Sequence, residues 1–240
     1  MVETLSNREI VAFLPCRSGS ERVVKKNTRR FAEFENGLVE IKIRQLMACH
    51  QVSRIVVSTD DQEVIDICYD LMKAYDKHLY VDFRPAHLAR SSTSTDDLIK
   101  YVPTIINQGI ILWTHVTSPF IDAELYDNAI TVYKENFVSG AYDSLVSVTP
   151  MQTFIWDENG PMNYDRQVEK WPRTQTLPQW FEINSGMFIM SADLMLEYQD
   201  RIGKTPFLFP IGHQQAFDID TKSHFEMSEN MWKSMQVKSD

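Results

Sequence analysis

Ile10-Val11-Ala12-Phe13-Leu14 is an unbroken apolar run, and through Pro15 it enters Cys16-Arg17-Ser18-Gly19-Ser20-Glu21-Arg22-Val23-Val24-Lys25-Lys26-Asn27. A short apolar run ended by proline and small polar residues reads as a strand followed by a loop. A flexible turn directly after the first strand is where a nucleotide-binding α/β protein needs one. Gly19, with Ser18 and Ser20, would let the backbone approach a phosphate, and Arg17 and Lys26 carry the charge to neutralise it. The loop contains neither GxxxxGK[ST] nor GxGxxG, and a solvated basic loop has the same composition.

Outward from this stretch, strands and helices alternate. Leu38, Ile41, Ile43, Leu46 and Met47 follow an approximately helical pattern, Ile55 to Ser58 reads as a strand, and Thr59-Asp60-Asp61 supplies caps for a helix carrying Val64, Ile65, Ile67, Cys68 and Leu71. The reading continues with a strand at Leu79 to Phe83, a helix from Thr95 to Ile106 interrupted by Pro103, a strand from Ile110 to Val116, a helix from Ala123 to Tyr133 and a strand from Ser144 to Val148. This alternation predicts a layered α/β fold with a mainly parallel sheet, whose ligands sit beyond the carboxyl ends of the strands. From Met151 to Phe181 it lapses into aromatic, proline and polar residues, which read as an insertion or arm that packs on another subunit. It resumes at Ile183 to Met190, and Phe217-Asp218-Ile219-Asp220 precedes a last helix from Ser223.

Composition narrows the function. The 240 residues, 43% hydrophobic and 24% charged, are enough for one large domain with a substantial core. A formal net charge of −9 disfavours nucleic acid as the main partner and makes any nucleotide site a local concentration of cations. The three cysteines, Cys16, Cys49 and Cys68, lack CxxC spacing, so neither a disulfide framework nor a zinc site is expected and a reducing cytoplasm is. Met1 to Glu9 is polar, unlike a signal peptide, and no membrane-spanning segment is expected.

Three further clusters carry chemistry. Arg84-Pro85-Ala86-His87-Leu88-Ala89 with Thr93-Ser94-Thr95 offers one planar donor and several hydroxyls, a set able to read a pyrimidine edge, although an Arg-Pro turn before an N-capped helix explains the same residues. His115 stands at the end of a buried run, before Val116-Thr117-Ser118-Pro119. In Asp218-Ile219-Asp220, residues two apart on an extended chain share a face, so two hard carboxylate ligands would suit Mg²⁺ while Ile219 turns into the core.

Taken in order, these motifs resemble those of the CMP-sialic acid synthetases, the acylneuraminate cytidylyltransferases of 2-keto-3-deoxy sugar acids. The segment Pro15 to Asn27 is similar to the signature I/L-P-A-R-x-x-S-K-x-x-P-x-K-N, with Cys16 at its alanine, Val24 at a proline and Glu21 where many members have a cation. Arg84 to Ala89 resembles R-P-x-x-L-A, His115 to Pro119 resembles Q-P-T-S-P, and Arg173, Leu177-Pro178, Phe181 and Asn184 to Phe188 resemble R-x-x-L-P, F and N-G-x-x-Y. Asp218-Ile219-Asp220 matches D-I-D, with Ser223-His224 replacing a later acid.

The resemblance implies a Rossmann-like three-layer fold with a small dimerisation insertion at about 151–181, a single domain over residues 1–240 and a homodimer. It assigns Arg17, Ser20, Lys26 and Asn27 to the nucleotide, Arg84, Thr93 and Thr95 to the cytosine, and His115, Arg173, Asn184 and Phe188 to the sugar acid. Arg173 is the expected partner of the acceptor's carboxylate. Asp218 and Asp220 would hold Mg²⁺, and Arg17, Lys26 and the two aspartates would carry catalysis. The implied reaction is attack by the anomeric hydroxyl of a sialic, legionaminic, pseudaminic or Kdo-like acid on CTP, with pyrophosphate leaving; the sequence does not decide which group removes the hydroxyl proton, and a metal-lowered pKa of that hydroxyl, helped by Asp218, is the expectation. Two rivals remain open on sequence grounds: a metal-dependent glycosyltransferase, which also uses Asp-x-Asp, and a catalytically silent CTP-binding protein.

Overall fold

The computed structural model describes residues 8–75 and 78–236. Its centre is a seven-stranded sheet formed by β1 (Ile10–Pro15), β2 (Arg54–Thr59), β3 (His78–Phe83), β4 (Ile110–Thr114), β5 (Ser144–Met151), β8 (Trp180–Ser191) and β9 (Pro206–Pro210), in the order β3-β2-β1-β4-β8-β5-β9. The first four of these are parallel neighbours, and β5 pairs in parallel with β9. Only β8 runs the other way, antiparallel to both β4 and β5.

Strand periodicity divides the interior into two layers of core. Ile10, Ala12 and Leu14 of β1 and Ile110 and Leu112 of β4 point to one face, where they meet helices α1 (Gly37–Ala48), α2 (Gln62–Met72) and α4 (Ala123–Val138). Val11, Phe13, Ile111 and Trp113 point to the other face, under α3 (Thr95–Ile105) and α5 (Ala192–Tyr198). The three-layer α/β architecture expected from the alternation is therefore present. A last helix, α6 (Lys222–Gln236), closes the first layer through Phe225.

Local chemistry sets the boundaries. Asp61, Ser94, Asp122 and Ser191 accept hydrogen bonds from the first-turn N–H groups of α2, α3, α4 and α5. Gly37 opens α1 at φ 64, and a Cβ there would collide with the carbonyl of Arg29, so the position admits only glycine.

Several expectations are corrected. Pro103 does not interrupt α3, because it lies in the last turns and little helix must continue past the lost hydrogen bond. β4 stops at Thr114 rather than Val116, since the chain turns at His115, whose carbonyl accepts from Ser118 N–H. β5 and β8 run longer than the apolar pattern indicates, to Met151 and from Trp180, because they pair with each other along that stretch. α5 and β9 have no counterpart in the sequence reading; β9 is an edge strand with proline at both ends, tolerated because one side has no ladder to complete.

The segment between β5 and β8 is the arm. It carries the small hairpin β6 (Trp156–Asp157) and β7 (Gly160–Pro161) and a 3₁₀ turn at Thr174–Thr176. Its aromatic side chains touch one another: Phe154 meets Tyr164 and Trp171 edge-on, and the Arg166 guanidinium lies over Trp156 and Trp171.

Candidate active site

The carboxyl ends of β1, β2 and β4 deliver three loops to one place. The loop after β1 is held from beneath, where Cys16 N–H donates to Ser58 O (2.9 Å) and Ser18 bonds Asp60 through both its N–H (2.8 Å) and its hydroxyl (2.6 Å). Asn27 Nδ2 donates to Arg17 O (3.1 Å), so one edge of Asn27 shapes the loop itself. Gly19 takes φ 69, the left-handed geometry that such a turn requires. Arg17, Ser20, Lys26 and Asn27 then line a cavity of about 160 Å³ with His115 and Thr117.

The Asp218–Asp220 segment reaches this loop through its backbone. Ile219 N–H donates to Thr117 O (2.9 Å), and Lys26 Nζ donates to Ile219 O (2.9 Å) and lies 3.9 Å from Asp220. Ile219 is buried, as alternation predicts, and the aspartates stand on either side of it. Asp218 is half-buried; burial and the Asp220 charge raise its pKa, against a hydrogen bond from Thr117 and the charge of Lys26. Burial lowers the pKa of Lys26 while Asp218 and Asp220 oppose that shift. Arg22 comes within 3.4 Å of Asp220, so the residue beside Glu21 brings a cation to this edge. His224 Nδ1 accepts from Asp220 N–H (3.4 Å), a backbone role where an acid was expected.

A larger cavity of about 430 Å³ adjoins the first and shares Pro15, Arg17, His115 and Thr117 with it. Arg84, Leu88, Thr93, Ser94 and Thr95 form one wall, and Trp113, Ser185, Arg201 and Asp218 also line it. Arg84 is buried and gives Nε and Nη2 to Ser58 (3.1 and 2.7 Å), which orients its remaining N–H groups. Thr93 donates to His87 O (2.8 Å), Ser94 caps α3, and Thr95 begins it. Four arginines, 17, 84, 90 and 201, face this cavity, the local cationic concentration that a chain of net charge −9 needs for an anionic ligand.

The remaining expected site residues are placed differently. His115 is in the cavity wall, but its ring is committed: Nδ1 lies 2.9 Å from Ser185 O and must carry the proton, leaving Nε2 to accept from Trp113 Nε1 (3.1 Å). Burial and the Arg201 charge hold its pKa down to about 4, so it is a neutral positioning group. Asn184 accepts from Ser147 (2.6 Å) and from Gly186 N–H (3.1 Å) and donates to Thr149 (3.1 Å), all within the irregular β5–β8 pairing and off the cavity wall. Phe188 is buried in the second core layer, beneath Arg201. Arg173 is exposed on the arm, just before the 3₁₀ turn, and does not line its own chain's cavity.

The family profile described as cytidylyltransferase matches residues 11–238. The chain belongs to the cytidylyltransferase family. It is accordingly a CTP-dependent transferase, and its relatives support the resemblance to CMP-sialic acid synthetases drawn from the motifs. Post-translational flagellin modification protein B of Campylobacter coli is 24% identical over 239 residues, covering 96% of this chain and 98% of its own. The CMP-N,N'-diacetyllegionaminic acid synthase of Campylobacter jejuni is 24% identical, covering 92% and 94%. N-acylneuraminate cytidylyltransferase of Escherichia coli O18:K1:H7 is 23% identical over 92% of this chain, which spans 51% of that longer protein. Among solved structures, CMP:2-keto-3-deoxy-manno-octonic acid synthetase complexed with CTP superposes with a TM-score of 0.66 at 13% identity, covering 95% of this chain and 99% of that one. The 4-diphosphocytidyl-2C-methyl-D-erythritol synthase of Anaerococcus prevotii gives 0.67 at 12%, covering 96% and 98%. These two similarities establish a common fold.

Sequence reading misses Arg201, Ser185 and Trp113 as cavity residues. Arg201 follows α5, a helix that the apolar pattern does not reveal, and no spacing ties it to the other motifs.

Proposed function

We propose that this cytidylyltransferase joins CMP from CTP to the anomeric hydroxyl of an acidic 2-keto-3-deoxy sugar, of the sialic, legionaminic, pseudaminic or Kdo-like kind. The observation that carries the reading is the continuity of the two cavities: a phosphate-sized pocket walled by Arg17 and Lys26 adjoins a larger one, with Arg17, His115 and Thr117 shared between them and Asp218 and Arg84 on the wall of the larger. Relatives named for N-acylneuraminate and legionaminic acid support the acceptor class.

In this reading the cytosine lies against Arg84, Thr93 and Thr95, whose hydroxyls and guanidinium face a pyrimidine edge. The triphosphate lies along the loop, with Arg17 and Lys26 facing charge that grows as the bridging oxygen leaves. The sugar hydroxyl forms a bond to the α-phosphorus, the bond to the β-phosphate oxygen breaks, and pyrophosphate departs. His115 takes no proton, since both ring nitrogens are committed. Asp218 is the carboxylate on the cavity wall toward which the hydroxyl proton can pass.

Asp218 and Asp220 fit Mg²⁺. Among the described residues no third histidine, cysteine or acid joins them, so an ion held there needs water and phosphate oxygens to complete an octahedron, which is how this ion is usually bound beside a triphosphate. The bound ion would neutralise phosphate charge and orient it. Exposed apolar residues on the arm, Trp156, Met162, Val168 and Trp171, favour a homodimer formed through it. Among the described residues no helix is long and apolar enough to cross a membrane, and the three cysteines, none of them in a disulfide, support a cytoplasmic setting.

The test is incubation with CTP, Mg²⁺ and a panel of keto sugar acids, following pyrophosphate and the mass of the nucleotide sugar. Pyrophosphate should appear with at least one acid and depend on it. Tight CTP binding with no release on any acid, or consumption of a preformed sugar nucleotide instead, would overturn the reading.

A further inference from the structure

Arg201 stands in the larger cavity without a polar partner among the described residues. Its guanidinium lies 3.9 Å from the Phe188 ring centroid and 5.1 Å from that of Trp113, and no hydrogen bond or salt bridge to that side chain occurs among the described residues. Trp113 and Phe188 are cross-strand neighbours on one face of the sheet, so both rings lie on the same side of the guanidinium and take up none of its N–H donors. The group is also partly desolvated, and burial lowers its pKa to about 10, against the charge of Asp200. A desolvated cation with unused donors costs free energy unless a ligand completes it.

A second feature lies on the same wall. Ser185 adopts φ 57, a left-handed conformation unusual for a residue with a side chain, and no described residue hydrogen-bonds its hydroxyl. Its carbonyl instead holds the His115 ring, which is fixed neutral and offers no donor to the cavity. An anion entering here meets Arg201 and the Ser185 hydroxyl.

We propose that Arg201, with the Ser185 hydroxyl, holds the carboxylate of the acceptor. This deepens the function proposed above and rests on it. In a 2-keto sugar acid, the carbon that bears the attacking hydroxyl also bears the carboxylate, so the carboxylate must lie close to the reacting phosphorus without entering the phosphate pocket. Arg201 meets both conditions: it shares the cavity of Asp218, and the phosphate pocket of Arg17, Ser20, Lys26 and Asn27 does not include it. Arg173, the residue expected from sequence, lies on the arm outside this wall. Packed on the two rings and without a hydrogen-bond partner among the described residues, the Arg201 guanidinium offers the two-pronged donor set that matches a carboxylate and that lysine lacks.

The experiment is steady-state kinetics of Arg201→Lys and Ser185→Ala with whichever keto sugar acid the panel identifies, together with competitive inhibition by that acid's primary amide. Arg201→Lys should raise the acceptor KM about 10- to 100-fold and leave the CTP KM within about two-fold. Ser185→Ala, which leaves the aromatic stack intact, should raise the acceptor KM about 2- to 10-fold. The amide should inhibit the wild-type enzyme far more weakly than the acid binds, and this discrimination should vanish in Arg201→Lys. An acceptor KM unchanged in both variants overturns the assignment while active wild-type enzyme leaves the cytidylyltransferase reading standing. A loss confined to CTP also overturns it and moves Arg201 to the nucleotide. Wild-type enzyme inert toward every acid removes both proposals together.

Discussion

Lys26 and Lys42 come from the same third of the chain, and one lines a cavity while the other is sealed in the core. Lys42, on α1, is fully buried, and its Nζ donates to Ser118 O (2.8 Å), Ile121 O (3.0 Å) and Tyr126 OH (2.8 Å). An ammonium has three N–H donors, so this group is saturated. Its burial drags the pKa well below the lysine range, with Asp122 opposing. Lys26 is 15% exposed at its side chain, has Ile219 O as its hydrogen-bond acceptor and leaves donors facing the phosphate pocket. What separates the two lysines is unused hydrogen-bonding capacity beside a cavity, more than burial or charge. Arg84 and Arg201 repeat the contrast, since Arg84 gives two donors to Ser58 and Arg201 gives none to the described residues.

Predictions follow this contrast from the largest effect downward. Lys26→Met, and likewise Asp220→Ala, should lower turnover about 10²- to 10³-fold, the scale of losing a principal electrostatic stabiliser, while the urea midpoint moves little. Near-normal turnover in either variant, or full activity in EDTA, would place these residues outside the chemistry. Lys42→Met should do the reverse. It removes a donor from the Ser118 and Ile121 carbonyls and the Tyr126 phenol, of which Ser118 O keeps only the long bond from Ile121 N–H (3.4 Å), at a cost of about 3 kcal/mol or more in stability, read from equilibrium unfolding. Added to Tyr126→Phe, the same substitution should cost less, because one orphaned group is gone. If Lys42→Met instead lowers turnover at full stability, the division between the two lysines fails.

The smallest effect belongs to Arg173. Because it lies off the cavity of its own chain, Arg173→Lys should change the acceptor KM by no more than about three-fold, within what an exposed charged group contributes. A rise comparable to that of Arg201→Lys would show that a second subunit carries Arg173 into the site.

Much of this arrangement is legible in the residues themselves. The loop from Arg17 to Asn27, the Arg84 turn and the Asp218–Asp220 pair are short segments whose residue types and order are enough to suggest phosphate, base and metal. The structure brings Arg17, Lys26 and Asn27 to one cavity and Arg84 and Asp218 to the adjoining one; the first loop and the Arg84 turn lie directly after strand ends, where local chemistry dominates. For His115 and Phe188, position in the motifs alone suggests sugar contacts. Packing separates them: Phe188 faces the second core layer under Arg201, whereas His115 stays in the cavity wall with its ring nitrogens taken by Trp113 and Ser185.

The sequence by itself determined the alternation that makes a three-layer sheet, the family, and the residues that can carry charge to a nucleotide. It did so because apolar period and loop composition act over a few residues at a time. Tertiary structure alone decided that β8 runs antiparallel between β4 and β5, that Ile219 ties the aspartates to the Thr117 loop, and that Arg201 joins Asp218 in one cavity. Those outcomes depend on which distant segments pack together. Spacing along the chain does not encode the unpaired N–H groups left over after packing, and among the described residues those of Lys26 and Arg201 border the two adjoining cavities.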